Sequence, residues 1–150
     1  RALQNFTSIK GLGARFTTAQ GIDVIDESSP ANPASMAAAL AILGAAKPKG
    51  RRIAILGNML EMGADAAAHH AGLASQIEAA KADLVFANGK NMHALWEVLP
   101  PSRRGAYALT STELAPQILA ALKPGDVALV KGSLGSRMAV IVDALKKGSL

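Results

Sequence analysis

Two tetrapeptides limit what this chain can fold into more than any other feature. Ile53-Ala54-Ile55-Leu56 and Val127-Ala128-Leu129-Val130 are apolar at every position, without the alternation of a strand that has one wet face. Strands of that kind need cover on both sides, and helices packed on a parallel sheet provide it. The flanking segments supply such helices. Met36, Leu40 and Leu43 recur at helical spacing, as do Met92, Leu95, Trp96 and Leu99, and again Met138, Ile141, Val142 and Leu145. Turn signals (Lys49-Gly50, Asn88-Gly89, Pro100-Pro101, Pro124-Gly125) fall between the segments. The pattern predicts strands at Arg52 to Leu56, Asp83 to Ala87, Ala106 to Leu109 and Asp126 to Val130. It predicts helices over about 33–46, 66–81, 90–98, 112–122 and 136–147. Arg15 to Ala19 and Ile22 to Asp26, either side of Gln20-Gly21, suit a hairpin that starts the sheet. Ser111 with Thr112 is the expected cap of the helix holding Pro116, since proline is tolerated in a first turn. The expected fold class is α/β: a Rossmann-like, mostly parallel sheet with helices on both faces.

A chain of 150 residues makes one domain with a proper core. The reading divides it into an entry linker at 1–14, a domain at 15–147 and a tail at 148–150, native or left by cloning. A start at Arg1 suggests an excised domain or a processed fragment. The absence of Cys excludes disulfides and thiolate chemistry. No apolar run approaches the roughly 20 residues of a membrane helix, and no signal-peptide pattern opens the chain. A cytoplasmic location without a membrane partner is therefore expected. The net charge of +5 raises nucleic acid as a partner, but the basic residues are scattered and lack interleaved aromatics. The one dense cluster, Lys47 to Arg52, reads as a solvated loop. A modest positive field equally suits a ligand rich in phosphate.

The candidate chemistry lies where predicted strands end. The apolar run Ile22 to Ile25, interrupted by Asp23, leads into Asp26-Glu27-Ser28-Ser29 and then a helix with Asn32 at its cap and Pro33 in its first turn. Such a polar strand end before a helix N-terminus is where open α/β sheets bind ligands, anions included. Gly57-Asn58-Met59 ends a second strand, and Lys131-Gly132-Ser133-Leu134-Gly135-Ser136-Arg137 the last one. In that last loop glycines allow close backbone approach, and two cations suit a carboxylate. His70 sits at helical spacing from Leu73 and Ile77, which favours a buried structural imidazole; His69 and His93 have no partners at metal spacing. No Walker A loop is present.

These segments also resemble a known family. Asp26-Glu27-Ser28-Ser29-Pro30-Ala31-Asn32-Pro33-Ala34-Ser35-Met36 is similar to Asp-(Asp/Glu)-Ser-Tyr-Asn-Ala-Asn-Pro-x-Ser-Met, which opens the C-terminal domain of MurF-type Mur ligases. Gly57-Asn58-Met59-Leu60-Glu61-Met62-Gly63 resembles Gly-Asp-Met-Leu-Glu-Leu-Gly, with His70 following at the expected distance. Val127 to Met138 resembles Val-Leu-Val-Lys-Gly-Ser-x-Gly-x-Arg-Met. The resemblance implies ATP-dependent addition of D-Ala-D-Ala to UDP-N-acetylmuramoyl-tripeptide, a step of peptidoglycan precursor synthesis. In that reaction ATP converts the tripeptide carboxylate to an acyl phosphate. The dipeptide amine attacks it, and a tetrahedral intermediate collapses to amide and phosphate.

It also implies two further domains, N-terminal and central, the central one carrying the P-loop and Mg²⁺, so that this chain alone is inactive. Glu27 and Arg15 then contact ATP at ribose and phosphate, with Asn32 beside them. Ser28, Lys131, Gly132, Ser133 and Arg137 contact the incoming dipeptide, while Asn58 and His70 are structural or lie at the site's edge. A monomer is expected. Ser29 and Pro30 stand where the family has Tyr and Asn, and Asn58 where it has Asp, so contacts at those positions stay in question. Two other readings remain open: a related Mur or folylpolyglutamate-type ligase, and a non-catalytic α/β binding module.

Overall fold

The computed structural model of the protein describes residues 14–27, 31–59 and 63–148. Among these, strands β1 (Ala14–Thr17), β2 (Asp23–Asp26), β3 (Arg52–Gly57), β4 (Leu84–Asn88), β5 (Arg104–Ala108) and β6 (Val127–Lys131) form one sheet in the order β1-β2-β6-β3-β4-β5. β1 and β2 make the antiparallel hairpin, with Arg15 opposite Ile25, and every other pairing is parallel. The helices are α1 (Pro33–Ala45), α2 (Ala66–Ala71), α3 (Leu73–Ala79), α4 (Met92–Val98), α5 (Ser111–Ala121) and α6 (Met138–Lys147). None of the described helices is long and apolar enough to cross a membrane.

The two fully apolar strands feed two cores. Side chains alternate along a strand, so Ala54, Leu56, Val127 and Leu129 enter a cluster with α1, α3 and α4, while Ile53, Ile55, Ala128 and Val130 enter another with α5 and α6. Consecutive apolar residues are thus required by a sheet covered on both sides.

Several boundaries differ from the expectation. The helix expected over 66–81 is two, α2 and α3, meeting at Gly72, the residue least committed to a helix. Thr110, rather than Ser111 with Thr112, caps α5 by accepting from the Glu113 amide at 3.2 Å. Pro116 therefore lies in the second turn. It is tolerated because both it and Thr112, whose carbonyl loses its partner, face solvent. α6 begins at Met138, because Leu134–Ser136 is a 3-10 turn and Arg137 is left-handed. Ala14 is already in β1 rather than in a linker, and Gly148 closes α6 in a left-handed cap rather than beginning a tail.

The basic cluster is not simply solvated. Arg51 pairs with Asp126 at 2.8 Å, and Arg52 donates to the Ala46 carbonyl. Asp126 needs that partner because it is buried among donors. Its carboxylate accepts from the Arg51 amide and guanidinium and from the Lys123 amide.

Candidate active-site edge

In a parallel sheet every strand delivers its last residue to the same edge. Here the ends of β2, β3, β4, β5 and β6 meet there, and the turns that follow build two polar regions either side of the Lys131–Ser133 turn.

The first region is a cleft of about 630 Å³ over β3 to β6. Asn58 and Met59 enter it after β3, Asn88 to Asn91 from β4, Leu109 to Thr112 from β5, and Ser133 with Gly135 to Arg137 from β6. α4 departs from this edge to one core and α5 and α6 to the other, so the cleft opens where helices diverge to opposite faces. Among the described residues of its lining, Lys90 and Arg137 are charged and none is a carboxylate. Arg137 is exposed and sits at φ 54°, a left-handed conformation that bulky residues rarely hold. Asn88 is buried; its Nδ2 donates to the Ser136 carbonyl at 3.2 Å, and its Oδ1 accepts from no described residue.

The walls are tied together through Asn58. Its Oδ1 accepts from the Met92 amide at 3.1 Å, and its carbonyl accepts from the Ser133 amide at 2.8 Å. The amide thus performs a bracing role that needs no charge. His70 holds the next residue: Nε2 accepts the Met59 N–H at 3.0 Å, and Nδ1 faces the Ala66 carbonyl at 2.6 Å. Those partners require the neutral ring with its proton on Nδ1. Full burial acts in the same direction and lowers the pKa of His70. His70 supports the cleft from beneath and does not line it.

Close backbone approach explains two glycines. A side-chain carbon on Gly132 would stand 2.5 Å from Ser136 Oγ and 2.9 Å from the Gly57 Cα; one on Gly57 would meet Ser136 Oγ at 2.5 Å. The ends of β3 and β6 can therefore lie together under the 3-10 turn only without those side chains.

The second region joins β2 to β6. Glu27 follows β2 and is only 5 % exposed, while Lys131 at the end of β6 is 1 % exposed. The Glu27 amide donates to the Val130 carbonyl, and Lys131 Nζ donates to the Glu27 carbonyl, both at 3.0 Å. Glu27 Oε2 is buried and accepts from no described residue. Burial pushes the Glu27 carboxyl up; Lys131 opposes that, Asp26 adds to it and Arg15 opposes it. Burial also lowers the pKa of Lys131, against the pull of Glu27. Arg15 is exposed on β1, beyond this pair.

The predicted residues therefore separate. Ser133, Arg137 and Asn58 line the cleft; Glu27 and Lys131 form the buried pair; Gly132 lies at the crossing between them. Asn32 caps α1 in a reciprocal box, its Oδ1 accepting from the Ser35 amide and its own N–H donating to the Ser35 hydroxyl oxygen, both at 2.9 Å. Ser28, Ser29, Pro30 and Glu61 lie outside the described residues. Sequence reasoning missed Asn88, Lys90 and Thr110. Asn88-Gly89 read as a turn, although a polar residue ending the apolar run Leu84 to Ala87 was a signal, and Thr110 with Glu113 is a capping-box spacing.

A family model described as "Mur ligase, glutamate ligase domain" matches residues 14–134. The UDP-N-acetylmuramoyl-tripeptide--D-alanyl-D-alanine ligase of Escherichia coli (strain K12) is 31% identical over 147 residues, which is 97% of this chain and 31% of that protein. The ligase of the same name from Mycobacterium tuberculosis (strain CDC 1551 / Oshkosh) is 33% identical over 151 residues, 86% of this chain and 29% of that protein. Among solved structures, MurF from Acinetobacter baumannii superposes with a TM-score of 0.81 at 24% identity, over 97% of this chain and 32% of that one. The MurF ligase from Thermotoga maritima in complex with ADP gives 0.77 at 18% identity, over 97% and 33%. At those identities the superpositions speak for the fold alone. The chain spans about a third of the length of these proteins.

Proposed function

Because this chain belongs to the Mur ligase glutamate ligase domain family, we propose that it is the C-terminal domain of a MurF-type ligase adding D-Ala-D-Ala to UDP-N-acetylmuramoyl-tripeptide. The observation that carries this reading is the convergence of three distant segments on one sheet edge. Lys131 reaches Glu27 across 104 positions, and Ser133 meets Asn58. The reading also keeps the protein monomeric and cytoplasmic.

ATP would supply the phosphoryl group that activates the tripeptide carboxylate. On this chain Glu27 is assigned to its ribose: it follows β2 at the ligand edge of the sheet, and its Oε2 accepts from no described residue. Arg15, exposed beside it, suits phosphate oxygens. Among the described residues no group of three His, Cys, Asp or Glu could hold Mg²⁺, so the proposal leaves the ion to the central domain.

The dipeptide is assigned to the cleft. Arg137, Lys90 and the N-terminus of α5 favour its carboxylate, and Ser133 adds a hydroxyl and an amide. Held there, the amine is oriented toward a carboxylate activated on the facing domain, which turns a bimolecular encounter into a positioned one. Leu109 and Leu134, 63 % and 91 % exposed at this edge, suit burial under that domain.

The test is phosphate release by the longer protein that carries this chain, supplied with ATP and UDP-N-acetylmuramoyl-tripeptide. Release is expected only when D-Ala-D-Ala is added. Release indifferent to the dipeptide, or none from a folded protein, would contradict the proposal.

A further inference from the structure

The proposed function leaves Lys131 without a task. It does not line the cleft, and its ammonium is directed to the Glu27 carbonyl on the other side of the edge. We propose instead that Lys131 is a positioning residue for Glu27, fixing the strand end that carries the carboxylate and keeping it an ionised acceptor for ribose hydroxyls. The ribose part of this inference rests on the ligase reading; the clamp itself does not.

The geometry is that of a sheet ladder extended by a side chain. Parallel pairing of β2 with β6 ends at Asp26 opposite Val130. Glu27 is the next residue, and both of its main-chain groups are held by β6: its N–H by the Val130 carbonyl and its carbonyl by Lys131 Nζ. Two consecutive residues of one strand thus grip one residue of the next. Glu27 cannot shift along or away from the edge without breaking one of these bonds.

Charge gives the second part. Burying an ammonium is costly, and a methionine of similar length would fill the same space without that cost. What methionine lacks is the donor and the positive charge. Burial drives the Glu27 carboxyl toward its neutral form, and Lys131 is the largest influence against it. Arg15 helps from solvent, where screening weakens it, while Asp26 acts in the opposite sense. Without Lys131 the acceptor would be weaker at neutral pH and its carbonyl would lose a donor.

The experiment pairs Lys131→Met with Glu27→Gln in the longer ligase. Lys131→Met is expected to raise KM for ATP about tenfold, the size of one lost charged hydrogen bond. KM for D-Ala-D-Ala should stay within about twofold. Added to Glu27→Gln, Lys131→Met should cost clearly less than it does alone, because its charge acts through the Glu27 carboxylate. A raised KM for the dipeptide, or effects that multiply, would overturn the inference.

A readout on the 150-residue chain separates this from the ligase reading. Carboxyl carbon-13 NMR should find the Glu27 pKa higher in Lys131→Met than in the native chain. Reciprocally, the Lys131 pKa should fall in Glu27→Gln, the variant that carries the test should Lys131→Met fail to fold. Unchanged titration in both would overturn the clamp whatever the protein catalyses. Shifted titration in a protein that forms no amide bond would sustain the clamp and defeat the ligase reading.

Discussion

Asp126, His70 and Glu27, three of the buried ionisable side chains among the described residues, contribute pH dependence in different ranges. Asp126 accepts from the Arg51 guanidinium and from two amides, which together hold its pKa below the ordinary 3.8 despite burial. Its contribution is present above that value and is lost as pH falls through the depressed one. Asp126→Asn should cost about 2–4 kcal/mol at neutral pH by urea unfolding, since buried donors lose their charged acceptor. The difference from the native chain should shrink in strong acid. His70 is also depressed, from 6.5, so its contribution is complete above that value and is lost as pH falls through the folded one. His70→Ala should cost about 2–4 kcal/mol, combining an orphaned Met59 amide with a cavity, and should flatten melting-temperature profiles in mildly acidic buffer. Glu27 has the opposite sign. Its pKa is raised above 4.5, so its contribution is present below that value and is lost as pH rises through the folded one. Glu27→Gln should therefore raise the melting temperature of the isolated domain at neutral pH while weakening use of ATP. A lowered melting temperature would mean the carboxylate is better paired than the geometry shows.

At the scale of elements, the site depends on how strands end and helices begin. Thr110 caps α5, and its turn lines the cleft. Thr110→Ala should cost about 1 kcal/mol by urea unfolding and perturb the amide signals of Ser111 and Thr112. Gly132→Ala should cost about 1–3 kcal/mol and displace Ser136 and Met138, since the added carbon has no room against the Gly57 backbone. Much of this level was readable in advance. The strand runs announced two-sided burial because each apolar residue has a core to enter. Asn32 announced its helix because Pro33 follows it in the first turn, and Ser35 completes the cap in the structure. The start of α5 was misjudged because Pro116 was weighed as a barrier, whereas solvent on that side supplies what the proline removes. The division of the edge into a cleft and a buried pair was not readable. It depends on β6 inserting between β2 and β3, a long-range choice that no local spacing encodes.

At the scale of the whole molecule, the edge carries the signs of a surface meant to be covered. It presents a cationic cleft and exposed Leu109 and Leu134. The family's motifs were legible in the sequence, and the lack of a Walker A loop in the chain is what motivates the expectation of further domains. Which motif residue lines the cleft and which lies beside Glu27 was not legible, because Lys131 and Ser133 are two positions apart yet lie on different sides of the edge. The isolated chain is expected to release no phosphate from ATP, with or without D-Ala-D-Ala. The most direct measurement is mass spectrometry of the UDP-sugar product made by the longer protein from ATP, UDP-N-acetylmuramoyl-tripeptide and D-Ala-D-Ala, with this chain present or deleted. The account predicts a product heavier by one dipeptide less water when the chain is present, and unchanged tripeptide when it is deleted. The same product without the chain, or no product from the intact protein, would contradict it.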